Sequence, residues 1–342
     1  MQFSLSFFGS TDSTLAEDKY GLLLDCSRFA DRRAFTAVWT PERHFHEFGG
    51  IFPNPSLMGV LLAARTTRAR IRAGSVVLPL HHPIRVAEEW SVVDNLSGGR
   101  VDVSFAVGWH PDDFVLAPGG YAARVEGTFE GIEEVRRLWR GEAFNGPNGL
   151  GDPTSVRIHP RPVQAELPVW ITCTGRAARF VQSGEQGYNV LTALIFQTTE
   201  QLAERVAEYR AARARGGHEP SRGTVTLMLH TFVGDEPEEV RETVREPLKR
   251  YLRSSVDLWR RENPALESLT RREDALEFAF ERYFGACGLF GTVESCAERV
   301  RRLRSIGVDE IACLIDFGVP APRVLAGLEQ LDRLRQLCAD SS

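Results

Sequence analysis

The chain has 342 residues, of which 43% are hydrophobic and 25% are charged, a composition that is typical of globular proteins and excludes global disorder. Its 41 basic and 46 acidic side chains give a net charge of -5, which disfavours nucleic acid as a partner. The longest apolar run, at residues 57–64, is far shorter than the ~20 residues that cross a bilayer, so we expect no membrane span.

The cysteines and the first residues indicate a cellular location. Six cysteines are scattered over the chain without a C-x-x-C pair, which is typical of reduced thiols and not of a zinc site or a disulfide framework. No basic flank precedes an apolar stretch at the N-terminus, so we expect no secretory signal. Together these features predict a cytoplasmic enzyme.

Short β-branched or aromatic segments alternate with longer amphipathic segments along the chain. The eight predicted strands are residues 3–8, 36–39, 71–78, 101–106, 168–172, 189–191, 224–233 and 310–315. The predicted helices that follow them are residues 15–33, 55–66, 83–96, 122–140, 176–185, 198–215, 292–305 and 323–336. Because a helix follows each strand, the pattern predicts an α/β protein with a single (β/α)8 TIM barrel over residues 1–342.

Two regions interrupt the alternation. Residues 141–167, rich in Gly, Pro and Asn, predict a long loop with a short strand pair near residues 155–158. Residues 234–288 predict a helical insertion after strand seven, with extra helices at 238–260 and 272–284. Barrels carry their active sites on the loops that follow the strands, so this insertion is a candidate lid or dimer element. Packing on the outside of the barrel is the alternative.

The segment after strand two has the composition of an active-site loop. Residues 39–50 read WTPERHFHEFGG and place two histidines, two carboxylates and aromatic rings together. Such a set is suited to binding a planar ring and to moving a proton. The alternative is a charged surface loop in which Glu42 pairs with Arg43.

Small residues follow strands three and four. Gly74, Ser75 and Gly108 would let a flat cofactor lie against the backbone, although tight turns also require glycine. The adjacent His81 and His82 could bind a metal ion, but no carboxylate lies at ligand spacing, and we predict no metal site.

The segment after strand five is a candidate phosphate site. Thr174, Gly175 and Arg176 stand at the start of a predicted helix, where backbone N–H groups and the helix dipole attract an anion. Arg176 would add charge-assisted hydrogen bonds, and Arg124, at the start of the fourth helix, could reach the same phosphate. A plain helix cap and a solvated Arg124 are the alternatives.

Long ordered strings in the chain resemble one known family. They are PERHFHEFGG, NPS, AGSVVLPLHHPIRVAEEWSVVDNLSGGR and GWHPDDF within residues 37–114, then RVEGTFEGIEEVRRLWRG, PVWITCTG, NVLT and FGTVESCAERVRRLRSIGVDEIACLIDFG. Over nearly its whole length the chain is similar to the bacterial luciferase-like monooxygenases, and it most resembles their branch in natural-product biosynthesis.

The resemblance implies a flavin-dependent barrel enzyme. Reduced FMN (FMNH2) would be the co-substrate, O2 would be captured at flavin C4a, and oxygen would pass from the resulting peroxyflavin to an organic substrate. A separate NAD(P)H:flavin reductase would supply the FMNH2, and the enzyme would be a homodimer. We expect hydroxylation of, or oxygen insertion into, a secondary-metabolite intermediate, either free or bound to a carrier protein.

The resemblance also implies roles for individual residues. His44 matches the pocket histidine, a general base or a group that stabilises the peroxyflavin, and His110 is the second catalytic candidate. Gly74 and Ser75 match the segment that supports the isoalloxazine ring, often through a non-proline cis peptide. The other flavin-binding positions are Val107, Gly108, Arg124, Thr174, Gly175 and Arg176.

Other functions are open to the same fold. One is a deazaflavin-dependent oxidoreductase that transfers hydride, and O2 consumption with FMNH2 separates it from a monooxygenase. Another is a flavin-binding barrel without turnover, or a lyase. The fold alone does not decide among them, because barrels host many chemistries.

Overall fold

Strands and helices alternate along the chain, as the sequence predicts. The structure is a computed structural model that describes residues 1–9, 18–259 and 273–339. In chain order, its strands are β1 (Gln2–Ser6), β2 (Ala37–Thr40), β3 (Arg70–Val77), β4 (Val101–Ala106), β5 (Phe144–Pro147), β6 (Pro153–Val156), β7 (Val169–Cys173), β8 (Asn189–Ala193), β9 (Val225–Val233), β10 (Leu289–Gly291) and β11 (Glu310–Leu314).

The helices surround these strands. They are α1 (Gly21–Arg32), α2 (Pro55–Ala63), α3 (Pro83–Ser97), α4 (Arg124–Arg140), α5 (Ala177–Glu185), α6 (Thr199–Arg215), α7 (Pro237–Trp259), α8 (Glu273–Arg282), α9 (Val293–Ser305) and α10 (Ala321–Ala339). Short 3-10 turns cover Leu78–Leu80, Pro111–Leu116 and Pro220–Arg222, and one π-helical turn covers Tyr283–Cys287. Among the described residues, no helix is both long and apolar enough to cross a membrane.

Eight parallel strands close into a barrel. Their order around it is β1-β2-β3-β4-β7-β8-β9-β11, and the pairing of β11 with β1 completes the ring. The (β/α)8 prediction is therefore confirmed. All eight strands run in the same direction, so their carboxyl ends, and the loops that follow them, meet at one mouth.

A buried ionic layer fills the barrel below that mouth. The Arg72 guanidinium donates to both carboxylate oxygens of Glu310, at 2.8 and 2.7 Å, and through Nε to Asp102 at 2.6 Å. The same guanidinium lies 4.8 Å from the ring centroid of Trp39 and 4.6 Å from that of Trp170. Because these side chains fill the lower interior, we expect a ligand to bind at the carboxyl ends of the strands.

Both regions that interrupt the alternation are present, but their strands differ in position and number from the prediction. The long loop holds an antiparallel hairpin of β5 and β6, so its strand pair lies at residues 144–156, earlier than expected. Both extra helices of the insertion are present as α7 and α8, and residues 260–272 between them lie outside the described residues. The short strand β10, which the sequence did not predict, pairs with the end of β9. The first helix begins at Gly21, and residues 15–17 of the prediction also lie outside the described residues.

Candidate functional site

The loop after β2 brings a buried carboxylate to the mouth of the barrel. The Glu42 side chain is fully buried, and its Oε1 atom lies 2.8 Å from Nε2 of His44 and 2.6 Å from Nε2 of His81. Its Oε2 atom accepts a hydrogen bond of 2.8 Å from the backbone N–H of Val77. An ionised carboxylate only accepts, so both imidazoles donate through Nε2–H, and the Nδ1 atom of His44 is left as the basic atom.

Hydrogen bonding keeps this carboxylate ionised in spite of its burial. Burial by itself would raise the pKa of Glu42, but the hydrogen bonds from His44, His81 and Val77 outweigh it and hold the pKa below its usual value. Burial would likewise lower the pKa of His81, but its hydrogen bond to Glu42 and the negative charge of that carboxylate raise it. The Glu42 and His81 pair therefore favours its ionic form.

A second buried pair joins this loop to the loop after β4. Arg43 Nη1 donates to Oδ2 of Asp113 at 2.9 Å, and both side chains are buried. Burial lowers the pKa of Arg43 and raises that of Asp113, against their mutual attraction. The alternative of a charged surface loop with a Glu42–Arg43 pair is therefore wrong, because each residue is buried with a different partner. His110, the second catalytic candidate, places its Nδ1 atom 3.9 Å from Oδ1 of Asp113.

The end of β3, called the floor below, lies beside these histidines, because the Val77 amide donates to the carboxylate that they share. The peptide bond between Gly74 and Ser75 is cis, as the resemblance implies. A Cβ atom on Gly74 would lie 2.9 Å from Cε3 of Trp39, so only glycine fits there. The Ser75 hydroxyl donates to Ser104 Oγ at 3.0 Å and also contacts the Thr172 hydroxyl. These three hydroxyls, from β3, β4 and β7, give the floor a polar patch.

The loop after β4 closes one side of the floor. Gly108 has a φ of 71°, and a Cβ atom on it would lie 2.9 Å from Val77 and 3.0 Å from the Phe114 ring, so the position requires glycine. Val107 precedes it and is half-buried. The carbonyl oxygen of Gly108 accepts a hydrogen bond of 3.1 Å from Nε of Arg124, the first residue of α4.

An arginine cluster lies at the start of α5. Thr174 and Gly175 form the turn after β7, Gly175 has a φ of 91°, and Arg176 is the N-cap residue of α5 with no capping bond from its side chain. Burial lowers the pKa of Arg179, in the first turn of α5, and repulsion from Arg176 and Arg124 lowers it further. Arg124, Arg176 and Arg179 thus lie close enough to repel one another near the start of α5, and positive charge at a helix N-terminus suits a phosphate.

The comparison with a family model identifies the chain. Residues 1–310 match the model described as luciferase-like monooxygenase. The chain belongs to this family. One relative that spans most of the chain is named as a flavin-dependent monooxygenase.

Individual relatives span almost all of the luciferase-like chain. It is 26% identical over 332 residues, 94% of this chain and 90% of the relative, to the oxygenase component of the flavin-dependent trigonelline monooxygenase of Acinetobacter baylyi. In structure it is similar to the monooxygenase RslO1 of Streptomyces bottropensis, with a TM-score of 0.81, 24% identity and coverage of 97% and 98% of the two chains. It is also similar to the oxygenating constituent of 3,6-diketocamphane monooxygenase of Pseudomonas putida in complex with FMN, with a TM-score of 0.79, 18% identity and 97% coverage of each chain.

Several residues at the mouth of this monooxygenase are of the kinds that a flavin site uses. Gly74 and Gly108 stand where neighbouring side chains leave no room for a Cβ atom, and the hydroxyl of Ser75 bonds to that of Ser104 on the adjacent strand. The arginine cluster of Arg124, Arg176 and Arg179 fits the phosphate of FMN. The flavin-contact roles of the residues in these loops stay predictions.

Sequence reasoning missed several members of the site. Glu42 was placed in the loop but not as the partner of two histidines, and Arg179 and Asp113 were not named as site residues. Arg179 lies in the first turn of the helix that Arg176 caps, and this nearness in sequence could have revealed it. His81 and His82 diverge, because His82 accepts from the N–H of Ile84 at the start of α3. Within the described ranges, no group of three or more His, Cys, Asp or Glu side chains is arranged to hold a metal ion.

Proposed function

We propose that the protein is the oxygenase component of a two-component system that uses FMNH2 and O2 to hydroxylate, or insert oxygen into, a secondary-metabolite intermediate. The observation that carries this proposal is the meeting of three features at one mouth: the floor at Gly74, the arginine cluster around Arg176, and the His44 imidazole on a buried carboxylate. When bound, reduced FMN supplies the electrons that activate O2.

His44 moves a proton in this proposal. Glu42 fixes the imidazole so that Nε2–H donates to the carboxylate, and Nδ1 accepts a proton from the substrate or from the oxidant. A neutral His44 is required for that step, so activity falls in acid. His110, beside Asp113, is the second candidate for proton transfer at the same mouth.

The protein holds the flavin and limits the access of water. Arg124, Arg176 and Arg179 bind the phosphate, while Thr174 and Gly175 shape the turn that presents their helix. The ring lies over Gly74 and Ser75, with the backbone at Val107 and Gly108 along one edge. Excluding water suppresses loss of the activated oxygen as hydrogen peroxide.

The partners follow from the relatives. The oxygenase component named in the A. baylyi relative supports a separate NAD(P)H:flavin reductase as the source of FMNH2. The substrate is a small organic molecule or an intermediate on a carrier protein. Exposed apolar side chains at the rim, Phe45 and Phe196, suit an apolar part of such a substrate. All six cysteines are buried thiols, which suits the reducing cytoplasm that we propose as the location.

We also propose a homodimer that forms through α2 and α3. α2 has no charged residue between Pro55 and Ala63, and its Leu57 is 61% exposed. Val60 of the same helix is 36% exposed, and on the adjacent α3 Val92 is 39% and Leu96 58% exposed. A second copy of this chain carries the same apolar residues, so a two-fold dimer through this face buries them on both copies.

Rapid mixing with oxygen tests the proposed function. Anaerobic FMNH2 with excess protein is mixed with aerated buffer, and flavin reoxidation and hydrogen peroxide release are followed against FMNH2 alone. We expect the protein to slow peroxide release several-fold. Binding of FMNH2 with unchanged reoxidation would instead establish a flavin-binding barrel without turnover. Oxidation of a reduced deazaflavin, with no reaction of bound FMNH2 with O2, would establish the hydride-transfer alternative.

A further inference from the structure

One carboxylate oxygen serves two imidazoles in this site. His44 arrives from the loop after β2 and His81 from the segment after β3, and both place Nε2 on the same Oε1 atom of Glu42, at 2.8 and 2.6 Å. The other oxygen is held by the Val77 amide at 2.8 Å. Because all three contacts act together, the carboxylate has a single orientation and the two imidazoles share its charge.

The two imidazoles differ in their access to water. The side chain of Glu42 is fully buried, that of His44 is 11% exposed and that of His81 is 29% exposed. His81 also feels the charge of Glu89 on α3, outside the mouth. The His44 imidazole is therefore the more enclosed of the two, and that of His81 lies nearer to solvent.

We propose that His81 is a positioning residue that takes up the charge of Glu42, so that His44 stays neutral with its basic Nδ1 atom available to the substrate. This inference rests on the proposed function of His44 as a base. No flavin or substrate contact is assigned to His81, which acts through the carboxylate alone.

The hydrogen bond and the charge of Glu42 favour the imidazolium form of His81 and raise its pKa, so the pair is close to neutral as a unit. Without His81, the whole carboxylate charge acts on His44 at 2.8 Å, and an opposite charge at that range favours the protonated imidazole. His81 thus prevents Glu42 from protonating the base that it orients.

Other charges near this unit do not replace His81. Asp113 lies close enough to feel the charges of His44, His110 and Glu42, but it is engaged with Arg43. Glu89 acts on the outer histidine. Neither carboxylate can take the place of a cation on Glu42, and Arg43 is bound to Asp113 at 2.9 Å.

Nitrogen NMR of labelled histidine tests this role without flavin. The chain has eight histidines, and the signals of His44 are assigned by their loss in His44→Gln. We expect His81→Gln to move the titration midpoint of His44 upward by about one pH unit. Glu42→Gln is expected to move it downward. His82→Gln is the matched control, since the exposed neighbour contacts Phe144 and not Glu42, and it leaves the midpoint in place.

The outcomes separate this inference from the proposed function. An unchanged or lowered midpoint in folded His81→Gln overturns the inference, and this variant alone decides it if Glu42→Gln fails to fold. The acid limb of the pH profile of FMNH2 reoxidation is the second readout, and it is expected to shift upward by a similar amount in His81→Gln. A shifted midpoint with no reaction of bound FMNH2 with O2 supports the electrostatic role of His81 and contradicts the proposed function only.

Discussion

The Nε atom of Arg124 donates a hydrogen bond of 3.1 Å to the carbonyl oxygen of Gly108. This bond joins the arginine cluster at the phosphate end of the site to the glycine loop at the ring end. The two halves of the proposed flavin site are therefore held in register before any ligand binds, which reduces the cost of ordering the site.

Removing one guanidinium of the cluster should weaken phosphate binding. We expect Arg179→Gln and Arg176→Gln each to weaken FMNH2 binding about 10-fold or more, since a hydrogen bond to a charged group contributes ~1.5–3 kcal/mol. Reduced riboflavin, which has no phosphate, should bind equally to all forms. Anaerobic fluorescence titration measures both affinities. Arg137→Gln, on the exposed side of α4, is the control. An equal loss for riboflavin would remove these arginines from the phosphate site.

Adding a methyl group to Gly108 should distort the ring end of the site. Gly108→Ala combines a left-handed backbone with contacts of 2.9 Å to Val77 and 3.0 Å to Phe114. Overpacking of this kind costs ~1–3 kcal/mol of unfolding free energy beyond the backbone term. Gly119→Ala isolates the backbone term, because Gly119 has a φ of 88° and nothing within 4 Å of its Cβ position. Equal urea midpoints for Gly108→Ala and Gly119→Ala would contradict steric crowding at Gly108.

Much of the fold was readable from the sequence, because regular alternation of strand and helix segments leaves few topologies other than a barrel. The site was readable only in part. The loop at His44 was identified by its composition, but Glu42 and His81 are 39 residues apart in the chain, and their contact depends on the register of β2 against β3. The short strand β10 was missed because three residues carry too little periodicity.

The ionic layer below the site should dominate the stability of the barrel. We expect Arg72→Met to lower the free energy of unfolding by ~3–5 kcal/mol, because it leaves the buried Glu310 carboxylate without its cationic partner. Arg33→Met breaks an exposed pair with Glu329 and is expected to cost under ~1 kcal/mol. Urea unfolding compares the two. A loss in Arg72→Met no larger than that in the control would show that the layer contributes little.

A buried histidine should make the protein sensitive to acid. Burial among the rings of Tyr251, Tyr283 and Phe317 lowers the pKa of His230 from 6.5 to about 3. Between these values only the unfolded chain takes up the proton, so the free energy of unfolding falls as pH falls from 6.5 toward 3. Each pH unit in this range changes the unfolding free energy of wild type by about 1.36 kcal/mol. The unfolding free energy of His230→Phe minus that of wild type should therefore be roughly 3 kcal/mol larger at pH 4 than at pH 7. The control His82→Phe should show no such gain, and parallel pH curves for wild type and His230→Phe would exclude the effect.

A charge on the apolar face of α2 and α3 should disrupt the proposed dimer. We expect Leu57→Glu or Leu96→Glu to convert the protein to monomer in size-exclusion chromatography with light scattering, because the charge would be buried at the two-fold contact. Leu150→Glu is the control, since Leu150 is 87% exposed in the loop between β5 and β6. A monomeric wild type would exclude the dimer. Dimers in wild type and in all variants would show that the contact lies elsewhere.

A crystal structure of the protein soaked anaerobically with reduced FMN tests the site as a whole. We expect the phosphate within hydrogen-bonding distance of Arg124, Arg176 and Arg179, and the ring over the Gly74–Ser75 peptide bond with His44 beside it. Flavin bound outside this mouth, or a phosphate that contacts none of the three arginines, would contradict the assignment of the site.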